Sequence, residues 1–342
     1  TPYLEMPHLE DYDLKIVNIQ AKQENRFQFD DAELKKLLDP AIKAFFLVNP
    51  GNPSAVALSK ESISKIGAIL KKRPDLILLT DDVYGTFVPG FRSLLGACPY
   101  NTIGVYSYSK YFGCTGWRLG VIAVHEDNLF DKLIAQHPEP VLKKIDKRYS
   151  ALTLEPRKMR FIDRIVADSR DVALNHTAGL SLPQQVMMAL FSLYELMDTK
   201  KHYQKACMGI VKKRVEATLE GLGIEVEKNP LHDQYYGLID FEYWARKNLG
   251  EDVVKWMKEN VHPLDIVFRL AEDHGIVLLN GSGFEAPDWS VRISFANLDD
   301  HVYDDIGRAV RAVGRSYRQA YEASKDKAVK ATPAPGARAK KK

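Results

Sequence analysis

The sequence predicts an α/β protein organised around a largely parallel sheet. Three observations carry that prediction. Apolar runs of strand length recur through the first 124 residues, a helical stretch connects the first two, and the first three end on polar residues. "IKAFFLV" (42–48) stops at the Pro/Gly-punctuated turn "NPGNPS". A helix follows from Ser59 as N-cap, with Ile63, Ile66, Ile69 and Leu70 on one face, and it stops before Pro74. "DLILLT" (75–80) reads as a buried strand ending at Asp81–Asp82. "NTIGVYS" (101–107) is a third strand, ending just before Lys110, and "RLGVIAV" (118–124) is a fourth.

The chain has 342 residues, 45% hydrophobic and 27% charged, which suits a globular protein of one large or two medium domains. No apolar run approaches the roughly 18 residues expected of a membrane span, so no membrane partner is expected. Cys98, Cys114 and Cys207 are odd in number and lack metal-ligand spacing, which points to free thiols in a reducing compartment, the cytoplasm. The histidines are scattered, and no metal site is assigned. The net charge of +3 is carried by the C-terminus: residues 324–342 hold six Lys, one Arg and one Asp, and subtracting their +6 leaves −3 for the rest. That Lys/Ala/Pro run has no apolar periodicity and reads as a solvated, disordered tail. The body lacks a basic stripe with interleaved aromatics, so nucleic acid is not an expected partner.

In open α/β sheets, ligands bind beyond the carboxyl ends of the strands. The polar residues expected there are Asn52, Asp81 with Tyr84, and Ser107 with Lys110. Each has an ordinary alternative: Asn52 before Pro53 is turn chemistry, Asp81 can cap a helix, and Lys110 and Arg118 can be solvated or ion-paired. Together, at the ends of successive strands, they form a candidate site. "SYSKYFGCTGWRLG" (107–120) surrounds Lys110 with small and hydroxyl residues, leaving the backbone open to close approach. An amine that can lose its proton forms a Schiff base with an aldehyde. Pyridoxal 5′-phosphate also requires a carboxylate at its pyridine nitrogen, donors for its phenolic oxygen, and hydroxyls with a fixed cation for its phosphate. Lys110, Asp81, Asn52, Tyr84, Ser107 and Arg118 supply those groups.

This set resembles the class I aminotransferases, which are fold type I pyridoxal-phosphate enzymes. The matching stretches are "NPGNPS", "DDVYGTF" (81–87) with Asp three before Tyr, and the segment with Lys110 eight before Arg118. The resemblance implies that Lys110 carries the cofactor and that Asp81 faces the pyridinium. It puts Asn52 and Tyr84 at the phenolic oxygen, and Ser107 and Arg118 at the phosphate. "VRISFANL" (291–298) is similar to the family's late strand, whose arginine grips the substrate α-carboxylate; here that is Arg292, with "LLNGSGF" (278–284) as hairpin partner.

The resemblance narrows to the aspartate 4-decarboxylases over nearly the whole chain, through "TPYLEMPHL", "TDDVYGTFVPGFRSL", "DSRDVALNHTAGLSLPQQ" and "WSVRISFANLDD", among other stretches. The charged segment 131–172 is similar to that family's characteristic insertion. The implied organisation is a large cofactor-binding domain over 1–195, a smaller α+β domain over 196–322, and a basic tail over 323–342. The family's N-terminal arm, Gly-rich turn and cofactor-stacking aromatic have no counterpart before Thr1, so the chain reads as a C-terminal part with an incomplete sheet and weak hold on the cofactor by itself. The family further implies a homo-oligomer, at least a dimer, with "NHTAGLS" (175–181) near the partner's phosphate site. The expected reaction is β-decarboxylation of L-aspartate to L-alanine and CO₂ with transamination as a side activity. A plain class I aminotransferase and an inactive truncated relative are the alternatives.

Overall fold

The computed structural model describes residues 14–171, 179–225 and 228–331. The chain divides into two compact units, one comprising Met6–Met208 with Asn229–Asp233, the other mainly Gly209–Lys228 and Gln234–Lys342.

In the first unit β1 (Ala44–Val48), α1 (Lys60–Lys72), β2 (Ile77–Asp81), β3 (Thr102–Ser107) and β4 (Gly120–Val124) follow the predicted elements closely. The sheet order is β1-β2-β3-β4; the first three strands are parallel and β4 runs antiparallel to β3. Phe45 and Leu47 alternate inward from β1 and meet Ile63, Ile66 and Leu70 of α1, with Leu76, Leu78 and Leu94 completing the core. Each such side chain contributes about 1.5–3 kcal/mol on burial. Ser59 caps α1, its hydroxyl accepting the Ser62 N–H at 3.1 Å.

The charged segment expected to be an insertion folds as three helices, α2 (Leu129–Ala135), α3 (Glu139–Tyr149) and α4 (Phe161–Asp171). Phe130 stacks on Phe161 at 4.8 Å, and the buried Tyr149 hydroxyl donates to both oxygens of Asp168 at 2.9 Å. Arg157 pairs with Glu139 and Asp146, each at 2.7 Å. The charges of this segment thus link its own helices. The unit ends with α5 (Leu182–Met197), opened by a Ser181/Gln184 capping box, and the first turns of α6 (His202–Leu222). The first unit runs on through the start of α6 to Met208. The physical reason is that residues as late as Gln204 are hydrogen-bonded to the loops of the first unit. Along α5, Leu182, Val186, Leu190 and Leu193 form an exposed apolar row.

The second unit holds an antiparallel sheet of order β5-β7-β6, from β5 (Tyr236–Asp240), β6 (Leu279–Asn280) and β7 (Ser290–Ser294). Three short helices, α7 (Phe241–Leu249), α8 (Glu251–Asn260) and α9 (Asp265–His274), pack on the long α10 (Val302–Ala331). Phe241, Trp244, Trp289 and Tyr317 form its aromatic core. The basic stretch read as a disordered tail therefore begins as helix. Within the basic stretch no Pro occurs before residue 333, Ala and Lys are good helix formers, and Lys325 lies over the Tyr321 ring at 4.4 Å. Residues 332–342 lie outside the described residues, as do 1–13 and 172–178, which include "TPYLEMPHL" and most of "NHTAGLS". Among the described residues no helix is long and apolar enough to cross a membrane.

Two glycines let α6 and α10 approach to backbone contact. A Cβ on Gly307 would collide with the Thr218 carbonyl oxygen and stand 2.7 Å from Leu222 N, and one on Gly221 would collide with the Asp304 carbonyl. Helix propensity favours Ala over Gly by about 1 kcal/mol, whereas an extra carbon against fixed backbone costs typically 1–3 kcal/mol and more where neither side can move. The steric term wins here. Gly307→Ala is expected to destabilise the second unit by about 2 kcal/mol, read by urea unfolding with the fluorescence of Trp244, Trp256 and Trp289. A gain in stability would mean the helices separate freely.

Candidate active site

Register brings the predicted residues to one edge. Val48 of β1 pairs with Asp81 of β2, and Asp81 pairs with Val105 of β3. The Asn49 N–H donates to the Asp81 carbonyl at 2.8 Å and the Asp82 N–H to the Val105 carbonyl at 2.9 Å, so all three strands end at nearly the same level. The loops carrying Asn52, Tyr84 and Lys110 leave from that edge, with adjacent strands spaced roughly 4.8 Å apart. β4 runs the other way, so its beginning lies there too: Ser107 pairs with Gly120, two residues past Arg118. Six of the seven predicted site residues therefore share one sheet edge. Arg292 belongs to the second unit.

Each loop has its own local support. Asn49 is fully buried and its Oδ1 accepts the Leu58 N–H at 2.9 Å; the Ala55 N–H donates to Gly51 O at 2.8 Å, folding the turn around Asn52. Asp81 Oδ1 accepts the Val83 N–H at 3.1 Å, and Tyr84 is buried. The neighbouring Asp82 accepts from the Thr80 hydroxyl at 2.6 Å, and its burial raises its carboxyl above the usual range. Ser107 Oγ accepts the Ser109 N–H at 3.2 Å. Arg118 is exposed, adopts left-handed backbone (φ 56°), and donates from Nη1 to Thr115 O at 3.1 Å. At Gly120 a Cβ would lie 3.1 Å from the Tyr106 carbonyl, so the start of β4 hugs β3 here. Burial pushes the Tyr106 hydroxyl up to about 12.

Arg292 sits in β7, the central strand of the second sheet, opposite Leu238 and Leu279. Its guanidinium lies over the rings of Phe284 and Tyr236, with ring centroids at 4.2 and 4.4 Å. Two aromatic faces fix the plane of the guanidinium. The expected hairpin partner is present as β6, and Phe284 comes from the turn that follows it.

The strand ends and motifs do not reveal everything that shapes this edge. Asn229–Asp233 returns to pair with the loop after Asn52: Ala57 N–H donates to Leu231 O and Asp233 N–H to Ala55 O, both at 2.8 Å, around an antiparallel bridge between Val56 and His232. The Lys110 loop is gripped from α5 and α6, with Tyr108 and Ser192 hydroxyls 2.7 Å apart and Tyr111 Oη donating to Glu195 Oε2 at 3.0 Å. The aromatic spacing Tyr106, Tyr108, Tyr111, Phe112 was the available signal, because four rings in seven residues need partners to bury them.

The profile of the family described as aminotransferase class I and II matches residues 7–310. The chain belongs to that family. It is 49% identical over 324 residues to the bifunctional aspartate aminotransferase and L-aspartate β-decarboxylase of a Pseudomonas species, covering 94% of this chain and 61% of that protein. A second relative, the aspartate/prephenate aminotransferase of Nitrosomonas europaea, is 35% identical over 31% of this chain and 28% of its own length. Among solved structures, the aspartate aminotransferase of Thermus thermophilus with maleate superposes with a TM-score of 0.60 at 18% identity, covering 87% of this chain and 63% of that one. The aspartate aminotransferase of Thermotoga maritima does so with a TM-score of 0.57 at 20% identity, covering 87% and 64%. The chain thus spans about three-fifths of the length of that Pseudomonas protein. The expected resemblance to the aspartate 4-decarboxylases and the expected fold are both borne out: this is the α/β architecture of fold type I aminotransferases, whose cofactor is pyridoxal 5′-phosphate.

His232 is a titratable probe of the loop that braces Asn52. Burial pushes its imidazole down to about 4 from its ordinary 6.5. Above pH 6.5 the ring is neutral folded and unfolded, and nothing is lost. As pH falls from 6.5 to 4 the unfolded chain takes up the proton first, so stability declines, by roughly 3 kcal/mol at the limit, and levels off below pH 4. His232→Gln removes this component. The stability difference between wild type and variant, measured by urea unfolding, is therefore expected to shift in the variant's favour between pH 6.5 and 4. A pH-independent difference would mean the ring titrates normally in the fold.

Proposed function

We propose that this chain forms the greater part of a pyridoxal-phosphate enzyme that converts L-aspartate to L-alanine and CO₂, with transamination as a side reaction. The observation that carries the proposal is the 49% identity across 94% of the chain to a protein named for both activities. The donor set supports the cofactor assignment. A carboxylate (Asp81), an amide (Asn52), a phenol (Tyr84), a hydroxyl (Ser107), a guanidinium (Arg118) and an amine (Lys110) follow strand ends or precede a strand at one sheet edge. That inventory fits the aldehyde, pyridine nitrogen, phenolic oxygen and phosphate of pyridoxal phosphate.

In this reading Lys110 holds the cofactor through its Nζ, and Asp81 keeps the pyridine nitrogen protonated, since an opposite charge at close range favours the charged form. Asn52 and Tyr84 donate to the phenolic oxygen, and Ser107 and Arg118 hold the phosphate. When bound, pyridoxal phosphate supplies the electron sink for bonds broken at the substrate's α- and β-carbons. With the substrate amine in its place on the cofactor, the Lys110 amine would be free to take the proton from Cα. Arg292 grips the α-carboxylate, because a planar guanidinium makes two parallel hydrogen bonds to it and so orients the Cα–H bond. The β-carboxylate must be bound without a tight ion pair, since such a pair would favour the carboxylate over neutral CO₂.

We further propose that the enzyme works in the cytoplasm as a homo-oligomer, at least a dimer. Free Cys98, Cys114 and Cys207 support the first point, and the exposed apolar row on α5 supports the second.

With L-aspartate labelled at the β-carboxyl, the pyridoxal-phosphate-loaded protein is expected to release the label as CO₂ and accumulate alanine, with 2-oxo acid formation slower. If the label stays in solution while a 2-oxo acid acceptor is aminated stoichiometrically, the protein is an aminotransferase only. Borohydride reduction is expected to fix the cofactor on Lys110, and peptide mapping that finds it on another lysine overturns the site. Arg292→Lys is expected to lose about two orders of magnitude in kcat/KM, because a point charge cannot reproduce the bidentate grip.

A further inference from the structure

Two consecutive residues at the start of α6 hold the two loops on which the proposed chemistry depends. Tyr203 Oη donates to the carbonyl oxygen of Tyr111 at 3.0 Å, one residue past Lys110. Gln204 Nε2 donates to the carbonyl oxygen of Thr86 at 2.7 Å, in the loop that leaves Asp81 and carries Tyr84. Both acceptors are main-chain groups, so these bonds constrain the paths of the loops rather than the rotamer of one side chain. The donors are neighbours on one helix and move as one body.

The helix end is itself braced. Asp198 Oδ2 accepts the Tyr203 N–H at 2.8 Å. The Tyr203 ring stacks on Phe112 at 5.7 Å and meets Tyr111 edge-on at 5.2 Å. Glu195 ties in the same region, one oxygen accepting from Tyr111 Oη at 3.0 Å and the other from Lys201 Nζ at 2.6 Å. The hydroxyls of Tyr111 and Tyr203 are held neutral well beyond the usual tyrosine range, chiefly by burial.

We propose that Tyr203 and Gln204 are a pair of positioning residues that set the separation between the amine-bearing and the carboxylate-bearing loops. The proposal rests on the reading of Lys110 and Asp81 as cofactor residues. A cofactor held by an amine at one end and a carboxylate at the other needs that span fixed, and a 1 Å error in such a site costs on the order of a hundredfold in rate. Side-chain donors from one rigid helix turn meet that demand without entering the site.

Hydrogen exchange in the cofactor-free chain tests the pair. The Phe112 and Gly113 amides donate within the Lys110 loop, to Tyr108 O and Lys110 O, and those of Phe87 and Val88 donate within the other, to Tyr84 O and Gly85 O. Tyr203→Phe keeps the ring and is expected to speed exchange at Phe112 and Gly113 about tenfold while leaving Phe87 and Val88 unchanged. Gln204→Met is expected to do the reverse. Gln204→Glu behaves like Gln204→Met at neutral pH, and regains protection relative to wild type when acidification restores an O–H donor toward Thr86 O. In pyridoxal-phosphate-treated protein, borohydride fixation on Lys110 falls in both single variants. Unchanged exchange in both loops, or a uniform increase across the chain, overturns the proposal. If wild type at saturating pyridoxal phosphate, where even a weak hold is filled, fixes the cofactor on lysines other than Lys110, the function proposed above fails, and the exchange result still decides for or against the pair.

Discussion

The backbone hydrogen bonds from Asn49 to Asp81 and from Asp82 to Val105 bring the carboxyl ends of β1, β2 and β3 to a common level. Side chains alternate along a strand, so a one-residue slip of β2 would turn Asp81 to the opposite face and bring Asp82 or Thr80 in its stead. The core prevents such a slip. Leu78 is fully buried beside β1, whose own inward residues, Phe45 and Leu47, seat on α1, and a shift would turn Leu78 away from that core. Hydrophobic register thus fixes which face of the sheet carries Asp81.

The two adjacent aspartates illustrate the consequence. Asp82 is half-buried beside Thr80, whose hydroxyl donates to it, and desolvation raises its carboxyl toward the neutral form. It serves the structure of the turn. Asp81 bonds to the Val83 N–H that follows it and stays with the sheet edge. The two carboxylates share a sequence environment and differ because the pleat sends them to different surroundings.

In the second unit the governing contact is between backbones. Gly221 and Gly307 let α6 and α10 meet without intervening side chains, and Arg214 ties the same helix to Asp300 at 2.7 Å and to Phe295 O at 3.0 Å. Phe295 follows β7 directly, so the helix pair and the strand bearing Arg292 are linked through one short segment. The sheet then holds Arg292 on its central strand, with its guanidinium over the rings of Tyr236 from β5 and Phe284.

Local pattern determined much of this protein. The apolar runs at 42–48, 75–80, 101–107 and 118–124, the Ser59 cap and the helical face of Ile63, Ile66 and Leu70 all appear in the structure, because strand and helix periodicity and capping act within a few residues. The family motifs were legible for a related reason: the chemistry crowds its residues into short turns at strand ends. Tertiary structure alone decided what holds those turns. Tyr203 reaches Tyr111 across 92 residues and Gln204 reaches Thr86 across 118. The Asn229–Asp233 return, the glycine contact of α6 with α10 and the aromatic contacts of Arg292 are likewise remote in sequence. No periodicity encodes them, since a Tyr, a Gln or a Gly has the same local signature whether or not a distant backbone closes on it. The basic C-terminal run shows the same limit from the other side: composition spoke for a disordered tail, and the continuing α10 beneath it made its first turns helical.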